Sequence, residues 1–119
     1  MTDGDRRVLA VVRDLFFVAR IRETARLTGV PLEFARSPED LAAALATRPR
    51  FVLLDLTGGF DHERVFAAVE AAGRPPVVGF TTHALARQTQ PWHARCGRVL
   101  TKEALTRELP VLLRDGVAA

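Results

Sequence analysis

A short apolar run that ends in a single carboxylate constrains the fold of this chain more than any other feature. Residues 51–54 are Phe-Val-Leu-Leu, Asp55 follows them directly, and residues 56–59 are Leu-Thr-Gly-Gly. An apolar run of this length, bounded by turn residues, predicts a strand buried on both faces inside a parallel sheet. The last residue of such a strand lies at the carboxyl edge of the sheet, where open α/β folds bind ligands. Asp55 is therefore a candidate site residue.

Strands and helices alternate along the rest of the chain. Apolar runs predict five strands, at residues 7–12, 32–35, 51–55, 77–80 and 98–101. Helical spacing and capping residues predict helices after each of them, near residues 15–28, 38–47, 62–72, 84–96 and 105–115. This alternation predicts a three-layer, doubly wound (βα)5 α/β fold, with a parallel sheet of strand order 2-1-3-4-5. We expect one domain over residues 6–116 after a short tail at residues 1–5.

Capping residues support the predicted helix ends. Ser37 is a good N-cap for the second helix, and Asp61 can cap the third. Gly29 and Gly73 suit the positions that follow a helix C-terminus. The apolar residues of the third helix that we expect to face the core are Val65, Phe66, Val69 and Ala72.

Two prolines lie inside segments whose residue spacing otherwise predicts a helix. Pro91 lies in the middle of the fourth predicted helix, where proline costs ~3 kcal/mol. We therefore expect a short or irregular helix, held to the sheet by Leu85 and Trp92. Pro110 lies in the last predicted helix, and proline is best tolerated in a first turn, so Thr106 is expected close to the N-cap.

Composition argues against several classes of function. The net charge is +3, but the arginines are scattered rather than gathered in a stripe or beside an aromatic platform, so we predict no nucleic-acid partner. No apolar run approaches the ~20 residues of a membrane span, so we predict no membrane partner. The short acidic start is not typical of a signal peptide. Cys96 is the only cysteine, which excludes an internal disulfide. We expect a cytoplasmic protein.

Polar residues end four of the five predicted strands. Asp14, Asp55, Thr81 and Lys102 follow strands one, three, four and five, so all four would project from the carboxyl edge. This set resembles the CheY-like receiver domains of bacterial two-component response regulators, over nearly the whole chain. The resemblance implies that Asp55 accepts a phosphoryl group from a histidine kinase and holds Mg²⁺ together with Asp14. It also implies that Thr81 and Lys102 bind the phosphoryl oxygens.

Lys102 strengthens this resemblance, whereas other positions depart from it. It is the only lysine of the chain and stands where a receiver needs a compact ammonium group. Receivers have an acid at the position of Arg13, usually a proline at that of Glu103, and Met-Pro at residues 58–59. Their aromatic switch residue is here aliphatic, at Val99 or Leu100.

Arg13 is the departure with the largest expected effect. Asp14 and Asp55 with Arg13 and Lys102 give a local charge of zero, whereas a full receiver pocket has a charge of −2. Two unit charges ~4 Å apart interact by ~4 kcal/mol at an effective dielectric of 20, so Mg²⁺ binding should weaken by several kcal/mol. If Arg13 turns inward, it can pair with Asp14 or Asp55 and take the place of the metal. It is also long enough to turn outward.

We therefore interpret the chain as a stand-alone pseudo-receiver of a signalling system, which is not an enzyme and acts by protein contacts without phosphorylation. By resemblance, the partner or dimer surface is formed by the fourth helix, fifth strand and fifth helix. One alternative is a working receiver with Asp55 as phosphoacceptor. Another is a flavodoxin-like domain that binds a small anion near Arg13, Thr81, Thr82 and Lys102. A structural subunit of a larger complex is the third.

The remaining reactive residues give no second site. His62, His83 and His93 are not at metal-ligand spacing with any cysteine or acid, although His83 is expected at the rim of the pocket. Cys96 is predicted to be a buried helix-end residue, because no base accompanies it in the sequence. No cofactor is expected apart from Mg²⁺, should the site be functional.

Overall fold

A computed structural model describes residues 7–116, which form five strands and five helices in strict alternation. The strands are β1 (Val8–Val11), β2 (Leu32–Phe34), β3 (Val52–Asp55), β4 (Val77–Thr81) and β5 (Arg98–Thr101). The helices are α1 (Leu15–Thr28), α2 (Pro38–Leu45), α3 (His62–Ala71), α4 (Ala86–His93) and α5 (Lys102–Asp115).

The strands form one parallel sheet in the order β2-β1-β3-β4-β5, which confirms the predicted fold. Because successive residues of a strand point to opposite faces, the sheet divides the core into two layers. Ala10 and Leu53 lie in the layer that α1 and α5 cover. Val11 and Leu54 lie in the layer that α2 and α3 cover. Burial on both faces explains why the central strands are continuous apolar runs.

The predicted caps of the first three helices are present. The Ser37 hydroxyl accepts a hydrogen bond from the amide of Asp40 at 3.1 Å, and Asp61 accepts one from the amide of Arg64 at 3.2 Å. Gly29 follows α1 with a φ of +72°, a conformation that glycine adopts without the steric cost that other residues incur. These local interactions explain why the helix starts could be located from the sequence.

The inward orientation predicted for Ala72 is wrong. Helix α3 ends at Ala71, and the side chain of Ala72 is exposed. Val65, Phe66 and Val69 are buried as predicted. The face of α3 thus loses contact with the core one turn after Val69, because the chain turns away at Gly73, where φ is +89°.

The predicted start of the last helix is also wrong. Helix α5 begins at Lys102, and the hydroxyl of Thr101, not Thr106, caps it by accepting from the amide of Ala104 at 3.1 Å. Pro110 therefore lies inside the helix, on its exposed side. The residues that hold α5 against the sheet despite this proline are Leu105, Leu109, Leu112 and Leu113, all buried. Burying each leucine contributes ~1.5–3 kcal/mol, which offsets a proline penalty of ~3 kcal/mol.

Helix α4 is short, as Pro91 led us to expect, but its anchor differs from the prediction. It spans eight residues and contains Pro91 on its exposed side. Its buried residue is Thr89, whereas Leu85 is only half-buried. Trp92 stacks on Phe66 of α3, with 5.9 Å between ring centroids. Helix α4 is therefore held through a polar side chain and through α3.

Within residues 7–116, none of the helices combines the length and the apolar character that crossing a membrane requires.

Candidate functional site

Asp55 ends β3 at the carboxyl edge of the sheet and is only 1% exposed. Its Oδ1 accepts hydrogen bonds from the Thr57 amide at 2.8 Å and from the Thr57 hydroxyl at 2.7 Å. None of the ion pairs within residues 7–116 involves Asp55. Burying a carboxylate is costly, and two hydrogen bonds from a neighbouring threonine offset only part of that cost.

Asp14 is exposed and lies between β1 and α1, where it acts as the N-cap of α1. Its Oδ1 accepts from the amides of Phe16 at 2.9 Å and Phe17 at 3.3 Å. A carboxylate at a helix N-terminus is stabilised by these amides and by the helix dipole. Asp14 thus has a complete structural role without a metal.

Arg13 turns away from both carboxylates. Its Nε and Nη2 donate to the carbonyl oxygen of Arg36 at 3.3 and 3.1 Å, and its Nη1 donates to that of Gly59 at 3.2 Å. The guanidinium also lies 4.2 Å from the centroid of the Phe60 ring, a cation–π contact. Arg13 therefore connects the loop after β2 to the loop after β3. The ion pair with Asp14 or Asp55, which an inward Arg13 would form, is not seen.

Thr81, at the end of β4, is bonded to α4. It is 3% exposed, and its hydroxyl lies 3.0 Å from that of Thr89, which in turn lies 2.8 Å from Nε2 of His93. This chain of hydrogen bonds joins the carboxyl edge of the sheet to the end of α4. Sequence reasoning missed Thr89, although its spacing of four residues from His93 places both on one helix face.

Lys102 is the first residue of α5 and is half-buried. Its ammonium lies 5.2 Å from the centroid of the Phe17 ring on α1, again a cation–π geometry. Within residues 7–116 it takes part in no ion pair. The register pairs Thr81 with Thr101 and Asp55 with Phe80, so the ends of β3, β4 and β5 lie side by side, as predicted.

Two carboxylates, those of Asp14 and Asp55, are the groups that could hold Mg²⁺ at this edge of the sheet. Mg²⁺ in proteins is usually bound through one or two carboxylates, and only Asp14 and Asp55 were predicted for it. Each already accepts two hydrogen bonds through Oδ1. No cluster of three or more histidine, cysteine, aspartate or glutamate residues suited to a metal occurs within residues 7–116. The role of both residues in metal binding stays a prediction.

His62 is a feature that sequence reasoning set aside. It opens α3, and its Nε2 is buried without a hydrogen-bond partner within the described part of the chain. Burial lowers the pKa of His62, while the backbone of Asp55 and the carboxylates of Asp55 and Asp61 act in the opposite direction. Its ring lies 5.3 Å from that of Trp92. His62 thus has both Asp55 and Trp92 among its neighbours.

Cys96 has the properties of a packing residue. Burial raises the pKa of its thiol to about 11, and Sγ donates to the carbonyl oxygen of Trp92 at 3.5 Å. A thiol with so high a pKa is a poor nucleophile at neutral pH. His83 lies beyond β4 and is exposed.

Solved structures with the same fold are receiver domains and their relatives. The receiver domain of a sensor histidine kinase from Pseudomonas aeruginosa, solved with magnesium in its active-site cleft, superposes with a TM-score of 0.72 at 19% identity, over 92% of this chain and 95% of that one. A chemotaxis response regulator of Vibrio cholerae gives a TM-score of 0.70 at 23% identity, over 91% and 98% of the two chains. This chain has the receiver-domain fold.

A third structure with a similar fold belongs to a family of streptococcal redox sensors that evolved from two-component response regulators. It superposes with a TM-score of 0.72 at 12% identity, over 92% of this chain and 52% of that one. No protein-family model matches the present chain, and no curated protein matches it in sequence. The likeness is therefore one of fold, and it does not by itself identify the activity of this chain.

Proposed function

We propose that this chain is a receiver-like signalling domain that acts through protein contacts and does not depend on phosphorylation of Asp55. The observation that carries the proposal is the end of β1. There Asp14 caps α1, and Arg13 joins two loops through the carbonyl oxygens of Arg36 and Gly59. A cationic side chain thus stands where a phosphorylated receiver needs a metal-binding acid, and Oδ1 of the one remaining acid accepts two helix amides.

The other receiver-type residues support the same proposal. The Thr81 hydroxyl is bonded to Thr89, and the Lys102 ammonium lies over Phe17. Each of these side chains thus has a partner within the protein, and the Thr81 hydroxyl, which accepts from Thr89, keeps its own hydrogen as a donor. A fold does not by itself fix an activity, and the structural neighbours include redox sensors that evolved from two-component response regulators. We further propose that the chain is not an enzyme and that α4, β5 and α5 form the surface for a protein partner.

Asp55 favours one alternative, a working receiver. Its carboxylate is 1% exposed and takes part in no ion pair within residues 7–116. A bound divalent cation would offset the cost of burying this charge. In that case Asp55 is the phosphoacceptor for a histidine kinase, and Asp14 and Asp55 hold Mg²⁺. The small-anion alternative has less support, because each guanidinium nitrogen of Arg13 donates to a carbonyl oxygen of the protein.

Labelling by a small phosphoryl donor separates these functions. We expect the purified chain, incubated with Mg²⁺ and radiolabelled acetyl phosphate, to take up no more label than its Asp55→Asn variant. We also expect the wild type and Asp55→Asn to capture the same partner proteins. Stoichiometric labelling of the wild type, with both label and partner lost in Asp55→Asn, would establish a working receiver instead.

A further inference from the structure

We propose that two copies of this chain form a twofold dimer in which α1 packs antiparallel against α1 of the second copy. The surface concerned, called here the α1 stripe, consists of Phe16, Arg20, Glu23 and Leu27. Phe16 is 64% exposed and Leu27 is 70% exposed, at opposite ends of the stripe. The four residues are spaced four, three and four apart along the chain, which is the a/d spacing by which helices pair in coiled coils.

The exposed apolar side chains are not spread over the surface. The large hydrophobic residues that are exposed in the described part of the chain all lie on α1 or on the adjacent α5: Leu15, Phe16, Leu27 and Val111. Single exposed apolar residues are ordinary, but Phe16 and Leu27 line the same surface hollow and so form a group on one face of α1. Between the ends of the stripe, Ala19 and Thr24 help to line an open cavity of about 460 Å³. Such a hollow beside the stripe can accept a side chain from a facing helix.

Charge identifies the facing helix as a second copy. In an antiparallel pair centred between Ile21 and Arg22, Phe16 meets Leu27 of the second copy and Arg20 meets its Glu23. The twofold axis repeats each contact, so one stripe complements itself in shape and in charge. A parallel pair would instead place Arg20 on Arg20 and Glu23 on Glu23, and these like charges exclude it.

Arg20 is available for this contact. Within residues 7–116 it forms no ion pair, and its guanidinium lies 5.2 Å from the centroid of the Phe16 ring. Glu23 pairs with Arg26 of its own helix, and both side chains are more than half exposed. A carboxylate can accept from two guanidinium groups, so Glu23 can hold Arg26 and Arg20 of the second copy together. The dimer then keeps the ion pair between Glu23 and Arg26 that each single chain has.

This dimer is independent of the proposed function. It uses α1 and does not require Asp55 or a metal. Helix α4 and strand β5 lie outside the α1 stripe, and they stay open to a different protein. A failure of the phosphate-independent proposal would therefore leave the dimer untouched, and the reverse also holds.

Charge exchange within the stripe tests the antiparallel geometry. In a dimer of Arg20→Glu, the new glutamate of each copy faces Glu23 of the other copy. In a dimer of Glu23→Arg, the new arginine of each copy faces Arg20 of the other copy. We expect either variant to dimerise at least tenfold more weakly than the wild type, because like charges face each other in both of these symmetry-related contacts. In a mixture of the two variants, every glutamate meets an arginine, so the mixture should associate as the wild type does.

Sedimentation equilibrium of the full chain, with a reductant present because Cys96 is free, provides the measurement. The contact is small, so concentrations up to about 100 μM are needed. Arg87→Glu makes the same charge change on the exposed part of α4 and should dimerise as the wild type does. A monomeric wild type would overturn the proposal, as would undiminished dimers of Arg20→Glu and Glu23→Arg. A mixture of these variants that stays monomeric would overturn it as well.

Discussion

At the scale of single residues, the side chains at the carboxyl edge of the sheet have partners other than those that the resemblance to receivers implied. Asp14, Thr81 and Lys102 stand where the sequence placed them, but each contacts a neighbour: the α1 amides, Thr89 and Phe17. The sequence could predict the positions because strand ends are fixed by the apolar runs. It could not predict the partners, because the groups that a hydroxyl or an ammonium contacts come from other segments, which only the folded structure brings close.

His62 gives the residue-scale prediction on pH. Burial lowers its pKa in the folded state, so in mildly acidic solution the unfolded chain binds a proton that the folded chain does not. The free energy of unfolding should therefore fall as the pH drops from about 7 to about 5, through the ordinary histidine pKa of ~6.5. Urea denaturation at several pH values measures this, and His62→Gln should reduce the slope.

His83→Gln is the matched control, because His83 is exposed and lies outside the core. It accounts for the general effect of removing a histidine. If His62→Gln and His83→Gln change the pH dependence equally, the buried environment of His62 has no influence on stability.

Cys96 gives a prediction on reactivity. With a pKa raised to about 11 by burial, its thiol should react slowly with iodoacetamide at pH 8. Relative to the ordinary thiol pKa of ~8.5, this pKa means roughly two-hundredfold less thiolate at pH 8. Mass spectrometry after timed labelling of folded and urea-unfolded protein should show a difference of at least that size. Equal rates in the two states would contradict the packing role of Cys96.

At the scale of helices and strands, residues that cap a helix were more informative than residues that break one. Ser37 and Asp61 satisfy amides within their own helices, so their effect is local and could be predicted. Pro110 was misjudged because the cost of a proline depends on what the rest of the helix buries, and α5 buries four leucines. Pro91, in the shorter α4, has no such compensation, and there the expectation of a short helix is confirmed.

The contact between β4 and the segment after α4 gives a prediction at this scale. A Cβ added at Gly79 would lie 2.8 Å from Sγ of Cys96 and 3.0 Å from Cδ1 of Leu56. Gly79→Ala should therefore lower the free energy of unfolding by ~1–3 kcal/mol, as overpacked cores do. Because Sγ is the nearer atom, adding Cys96→Ala should recover part of the loss. A double-mutant cycle by urea denaturation measures this coupling, and strictly additive effects would refute the contact.

At the scale of the whole molecule, the order of strands brings Asp55, Thr81 and Lys102 to one edge, and this much was predictable from alternation alone. The direction of Arg13 was not, because its partners are carbonyl oxygens of two loops that carry no signal in the sequence. The direction of the Arg13 side chain bears on the proposed function. Arg13 does not hold the pocket by pairing with Asp55; it holds the loops on both sides of β1 and leaves a positive charge near the pocket.

The fluorescence of Trp92 tests the phosphate-independent account most directly. Trp92 is the only tryptophan and stacks on Phe66, and its ring lies 5.3 Å from that of His62, a neighbour of Asp55. Wild type and Arg13→Asp are titrated with Mg²⁺ to about 10 mM and then with beryllofluoride as a phosphoryl mimic. We predict no saturable change in the wild type and a saturable change in Arg13→Asp, which restores the missing acid. A saturable wild-type response that Asp55→Asn abolishes would contradict the account.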